Sequence, residues 1–176
     1  MSYLKAAAYQ DGHAGYSDPI DEQTFVVNTI NQLMKSPYWK NTAVFIAYDD
    51  SDGWYDHVMG PIVNQSNIND DNLTGPGGCG TGTVSTQGRC GYGPRLPLLV
   101  VSPYAKSNFV DHSVTDQSSI LRFIEDNWSL GRIGGGSTDA IAGPLNSLFD
   151  FDERDGNGRT LILDPSSGQP VRSNNR

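Results

Sequence analysis

Apolar positions first fall into a regular spacing after Pro19. Phe25, Val26, Ile30, Leu33 and Met34 recur at helical intervals and predict one helix with a single apolar face. Ser17-Asp18-Pro19 marks its start, with a capping side chain before a proline and with Asp21 and Glu22 near the positive end of the helix dipole. Ser36-Pro37 marks its end. The pattern then changes to a continuous apolar run, Ala43 to Tyr48, which breaks at Asp49-Asp50. Such a run reads as a strand buried on both faces in a parallel sheet, with chemistry-bearing residues at its C-terminal edge. A second run, Leu96 to Ser102, stops at Pro103 and predicts another buried strand. Thr115 and Asp116 are positioned to cap a second helix reaching about Trp128, with Ile120, Leu121, Phe123, Ile124 and Trp128 as its core face. Residues 131–136 read as loop, and Thr160 to Leu163 as a last short strand. Helix, strand, loop, strand, helix predicts an α/β sheet with helices on its faces. The expected organisation is one domain over residues 1–165 and a polar, mobile tail over 166–176.

Composition changes this picture in two places. The chain has 176 residues, 20 of them glycine and 10 proline, so its regular elements are separated by long, turn-rich loops. The longest spans residues 51–95, and loops of that length are usually functional or disordered. The formal charge is −8, which repels a phosphate backbone and argues against nucleic acid as a partner. The same repulsion acts on any phosphorylated substrate, so a cation or a local basic group is needed where one binds. No run approaches the roughly 18 apolar residues that span a bilayer. No signal peptide is visible at the start.

The densest chemistry is AYDDSDGWYDHV, residues 47–58, which gathers Asp49, Asp50, Asp52, Asp56 and His57. Adjacent carboxylates at the end of a buried strand repel each other, and a divalent cation removes that repulsion. Hard oxygen ligands suit calcium, magnesium or manganese, and a nearby histidine admits zinc. The alternative is a solvated acidic turn closed by Gly53. His13 lies in YQDGHAGYSDP among glycines, with no evident core role, and can donate to a phosphoryl oxygen or act as an acid–base group. His112 precedes the second helix as a possible ligand or a neighbour of the helix N-terminal region. Arg95 is a candidate anion contact or a structural ion pair. Neither a Gly-x-Ser-x-Gly nucleophile elbow nor a P-loop is present.

On four of its segments the chain resembles a known group. YQDGHAGYSDPIDEQ (9–23), AYDDSDGWYDHV (47–58), GPRLPLLVVSPYAKSNFVDH (93–112) and DQSSILRFIEDNW (116–128) occur in the order of the bacterial phosphoesterase family of phospholipases C and acid phosphatases. The resemblance implies an alkaline-phosphatase-like three-layer α/β sandwich and hydrolysis of a phosphomonoester or a phospholipid. It also implies one divalent metal ion. Asp49 and Asp50 match metal ligands, and His13 matches a histidine that contacts the phosphoryl group. His57 belongs to the Asp-His motif as a further catalytic candidate, while His112 sits on a matching stretch with no role assigned. Gln117 stands where related sequences carry histidine. In the family a serine or threonine nucleophile, an acidic residue and an asparagine come from the N-terminal half, and no segment before His13 supplies them. The resemblance therefore implies the C-terminal half of such an enzyme, with an incomplete site and little turnover alone. A non-catalytic module that binds a cation or a partner is the reading from another class.

Cys79 and Cys90 lie in one glycine-rich loop, GPGGCGTGTVSTQGRCGYGPR, with no histidine or further cysteine nearby to make a zinc site. Their spacing favours a disulfide, which would stabilise the loop by about 2–3 kcal/mol on the chain-entropy model. A disulfide implies an extracytoplasmic home, periplasmic or secreted. In protein exported to an oxidising compartment, non-reducing mass spectrometry should find the intact chain two hydrogens lighter. Two freely alkylated thiols would refute the pairing.

Overall fold

The structure is a computed structural model that describes residues 1–51, 58, 60, 92–152 and 159–171. Helix α1 (Pro19–Met34) and helix α2 (Ser118–Trp128) flank strands β1 (Val44–Ala47) and β2 (Leu98–Val101) in the sequence. Short 3-10 turns occur at Ala8–Gln10, Trp39–Asn41, Thr138–Ala140 and Asn146–Leu148. The two strands pair in a two-stranded sheet, so the described chain is a small mixed helix-and-strand fold compatible with the α/β class. None of its helices is long and apolar enough to cross a membrane. The chain divides into two compact units, and the division passes through both strands.

The first unit comprises Met1–Val44, Val100–Ala105 and Asp150–Arg176. Its helix starts where the sequence places it. The Asp18 carboxylate accepts from the Ile20 N–H at 2.8 Å, and Pro19 occupies the first turn, where a missing N–H costs nothing. The buried stripe is not the expected one. Phe25, Val26, Ile30, Leu33 and Met34 are half-buried, whereas Val27 and Asn31 are buried. The cause is the return segment. Thr24 Oγ1 and Gln23 Nε2 both donate to the Pro165 carbonyl, at 3.3 and 3.1 Å. Asn31 donates to the Leu163 carbonyl at 2.7 Å and accepts the Leu163 N–H at 3.2 Å. Trp39, 4 % exposed, donates its indole N–H to the Arg159 carbonyl at 3.0 Å.

These bonds explain why Thr160 to Leu163 is not the strand its composition suggests. The Leu163 backbone is satisfied by the Asn31 side chain, and pairing shrinks to one antiparallel bridge between Leu163 and Pro170. Pro170 has no N–H with which to extend a ladder. From Asp164 to Val171 the chain folds back. The Asp164 N–H donates to Gln169, the Gly168 N–H to Asp164 and the Val171 N–H to Ile162, all within 2.9 Å. Residues 172–176 of the expected tail fall outside the described residues.

The second unit comprises Phe45–Leu99 and Lys106–Phe149. Its core is aromatic. Ring centroids of Phe45 and Phe123 stand 5.1 Å apart, those of Phe123 and Phe149 5.2 Å, and those of Phe45 and Phe149 6.0 Å. Phe149, Leu145, Ala142 and Ile124 are buried in this unit, and Phe45 and Phe123 are half-buried. Gly143 is required by space: a Cβ there would fall 2.0 Å from the Val114 carbonyl oxygen.

Three expectations are corrected in the elements themselves. Neither strand is fully buried: Val44, Phe45 and Ile46 are half-buried, Ala47 is exposed, and Leu99 is 51 % exposed. A two-stranded sheet does not cover both faces of an apolar run. Helix α2 begins at Ser118 with Gln117 before it, and neither Thr115 nor Asp116 caps it through its side chain. Instead the Ser119 hydroxyl takes the Asp116 N–H at 3.0 Å. Ile124 is buried as expected, but Trp128 is 56 % exposed. The helix ends there because Ser129 turns left-handed (φ 54°), and Glu125, buried, pairs with Arg132 at 3.2 Å.

Asn31→Leu should destabilise the first unit, since it leaves the Leu163 N–H and C=O without their partner at a cost of about 1–3 kcal/mol. Urea unfolding followed by circular dichroism should show the midpoint falling at constant slope. An unchanged midpoint would mean that the return segment is held by something else.

Candidate functional site

The site is built where β1 ends. Ala47 is the last strand residue, and the chain continues through Tyr48 to Asp49 and Asp50, both exposed. Helix α2 reaches this point through Gln117, which stands one residue before it. Its Nε2 donates to the Tyr48 carbonyl at 3.0 Å and to the Asp49 carbonyl at 2.8 Å. The Phe45–Phe123 contact holds the strand and the helix that meet here. Beside Gln117 lies Asp116, next to the Tyr92 hydroxyl. Burial first, and then the Asp116 carboxylate, push the Tyr92 pKa up to about 12, so this phenol stays protonated at neutral pH.

Asp49 and Asp50 offer the hard oxygens that calcium, magnesium or manganese prefer, and their exposure gives an ion access. Two carboxylates do not complete the six or more ligands such ions take. Among the described residues, no three His, Cys, Asp or Glu side chains gather as a cage. The pair therefore fits part of a metal site. Asp52, Asp56 and His57 lie outside the described residues, as do Cys79 and Cys90.

His13 belongs to the first unit and Asp49-Asp50 to the second. His13 sits in a tight turn made possible by Gly12 at φ +85°, where an added Cβ would also meet the Glu22 carboxylate at 2.8 Å. The His13 N–H donates to Asp11 at 3.1 Å, and the His13 Nδ1 accepts the Gly15 N–H at 3.0 Å. An accepting Nδ1 places the ring proton of the neutral imidazole on Nε2. Tyr16 stacks on the ring at 4.1 Å with the planes 11° apart. The exposed His13 is thus oriented by its own turn.

His112 is exposed in the second unit, in a turn organised by Asp111. The Asp111 carboxylate accepts from the Ser147 hydroxyl at 2.5 Å, the Ser113 N–H at 2.9 Å and the Ser113 hydroxyl at 2.7 Å. The Ser147 bond first, then the Ser113 bonds, hold the carboxyl below its ordinary value. Arg95 is exposed. Gln117 is the residue that sequence reasoning left without a role. Its position immediately before a helix, where the resembling sequences carry histidine, is the signal the sequence offers.

The phosphoesterase family matches residues 1–131 of the chain, well over half of its length. The chain belongs to the phosphoesterase family. It is 35 % identical over 150 residues to a non-hemolytic phospholipase C of Burkholderia pseudomallei, covering 75 % of this chain and 20 % of that protein. It is 30 % identical over 161 residues to a non-hemolytic phospholipase C of Pseudomonas aeruginosa, covering 86 % of this chain and 23 % of that protein. A non-specific phospholipase C1 of Arabidopsis thaliana is 29 % identical over 147 residues, covering 79 % of this chain and 26 % of that protein. The chain thus spans about a fifth to a quarter of the length of these relatives. The phosphoesterase match takes in His13, Asp49, Asp50, His57, His112 and Gln117, and stops before the aromatic core residue Phe149 and the return segment.

The Asp111 turn of this phosphoesterase chain carries a pH dependence. A carboxylate whose folded pKa is depressed adds stability that is present above its unfolded value and is lost as pH falls through the folded one. The Asp111 carboxyl carbon, followed by NMR, should therefore titrate below 3.8. Ser147→Ala should move that midpoint up towards 3.8 and loosen the His112 turn in acid, whereas an unmoved midpoint would remove Ser147 as the main cause.

Proposed function

We propose that this chain supplies the acidic strand end of a divalent-metal-dependent phosphoester hydrolase, of phospholipase C or acid phosphatase type. The observation that carries this reading is the Asp49-Asp50 pair, exposed at the end of β1 and inside the phosphoesterase match. The metal, bound there, would act as a Lewis acid towards a phosphoryl oxygen and offset the repulsion that a chain of charge −8 exerts on a phosphate. Asp49 and Asp50 would hold it. His13 is assigned to the phosphoryl group by its own motif, and its Nε2–H is the donor suited to an anionic oxygen. The relatives are named phospholipases C, which favours a phospholipid or a related phosphoester as substrate.

In this reading the nucleophile comes from outside residues 1–176, because no hydroxyl here matches the family's nucleophile, and the chain alone turns over slowly at most. The complete enzyme would be the three-layer alkaline-phosphatase-like sandwich, working outside the cytoplasm with Cys79 and Cys90 paired.

Two assays test the proposal. In the full-length protein, Asp49→Asn or Asp50→Asn should reduce bound metal and phosphoester turnover by more than the roughly 10–100-fold that loss of an outer-shell partner costs. Unchanged metal content and turnover would end the assignment. With p-nitrophenyl phosphate and added divalent cations, residues 1–176 alone should hydrolyse at least tenfold more slowly than the full-length protein. Comparable rates, abolished by Asp50→Asn, would mean that the chain builds a complete site. Cation binding with no turnover by any form of the protein would favour a binding module.

A further inference from the structure

We infer that Gln117 is a positioning residue: its side-chain amide locks the two peptide planes on either side of Asp49 and so fixes how the acidic pair is presented to a cation. This rests on the proposed metal reading and adds to it the residue that sets the pair's geometry. The Tyr48 carbonyl belongs to the peptide plane preceding Asp49, and the Asp49 carbonyl to the plane following it. Gln117 Nε2 donates to the first at 3.0 Å and to the second at 2.8 Å. Holding both planes fixes φ and ψ of Asp49, and with them the direction of its Cα–Cβ bond and the entry of the chain into Asp50. Both tied residues lie beyond Ala47, where the strand has ended.

The clamp needs two donors close together. Both acceptors are carbonyl oxygens, and the primary amide of Gln117 offers two N–H bonds on one uncharged nitrogen. An ionised glutamate has no donor. The two nitrogens of a histidine ring point apart, so an imidazole in this place serves one of the two carbonyls. The clamp is itself anchored, because Gln117 precedes α2, whose Phe123 packs on Phe45 of β1 at 5.1 Å. All of these groups belong to the second unit. Strand, helix and amide thus form a closed loop that holds the backbone on both sides of Asp49 at the strand end.

The test uses the full-length protein, Mn²⁺ as the probe, and Gln117→Met, which keeps the side-chain length and removes both donors. In the metal-free protein the carbonyl ¹³C resonances of Tyr48 and Asp49 should move upfield in Gln117→Met as the hydrogen bonds are lost. Mn²⁺ affinity, read by calorimetry, should fall roughly tenfold, the low end of the cost of losing an outer-shell partner. The thermal midpoint should stay unchanged, which separates positioning from a general structural role. Mn²⁺ binding that is lost in Asp49→Asn but intact in Gln117→Met would overturn the clamp and leave the metal reading standing. Carbonyl shifts that do not respond to the substitution would also overturn it. No Mn²⁺ binding by the full-length wild-type protein would overturn the metal reading, and the positioning role with it.

Discussion

Phe45, Phe123 and Phe149 bring together a strand, a helix and the end of a 3-10 turn that are far apart in the sequence, and the second unit depends on that contact. Offset and edge-on phenyl pairs at these separations add about 0.5–1.5 kcal/mol each beyond the area they bury. Their larger effect is geometric. With Phe123 against Phe45, the first residues of α2 stand at the end of β1, and Gln117 reaches the Tyr48 and Asp49 carbonyls.

A second theme is the use of side chains to satisfy backbone groups. Among the described residues the sheet has two strands, and the sequence is rich in glycine, so ladder hydrogen bonds cover only part of the described backbone. Asn31 takes both polar groups of Leu163, Gln23 and Thr24 converge on Pro165, Trp39 binds Arg159, and Gln117 binds Tyr48 and Asp49. Each gives a backbone group a partner where regular structure is missing. Amide and indole groups suit this work because they remain uncharged, so their hold does not vary with pH. The Asp111 turn depends instead on an ionised carboxylate, and its hold does vary.

Charge and site are also linked. A net charge of −8 is unfavourable for a phosphoester hydrolase unless positive charge is concentrated where the substrate binds. The proposed metal at Asp49 and Asp50 would supply it from outside the chain. The relatives named phospholipases C are four to five times longer than the part this chain spans. The remaining ligands and the nucleophile of the proposed enzyme are accordingly assigned to that further length.

The sequence by itself determined α1 from Asp18 to Met34, the approximate positions of β1, β2 and α2, and the acidic pair at a strand end. Those features rest on capping chemistry, helical spacing and short apolar runs, which act over a few neighbouring residues. The four motifs also carried the family, which the match over residues 1–131 bears out. Tertiary structure decided the rest. It chose Val27 and Asn31 as the buried stripe of α1 because the return segment presents carbonyls that polar side chains can meet. It left Trp128 and Leu99 exposed because no neighbouring element among the described residues covers them. It denied Thr160 to Leu163 a strand partner, because Asn31 and Pro170 occupy the positions a ladder needs. It also gave Gln117 its two carbonyls, a contact across 68 and 69 residues of sequence that no local pattern encodes.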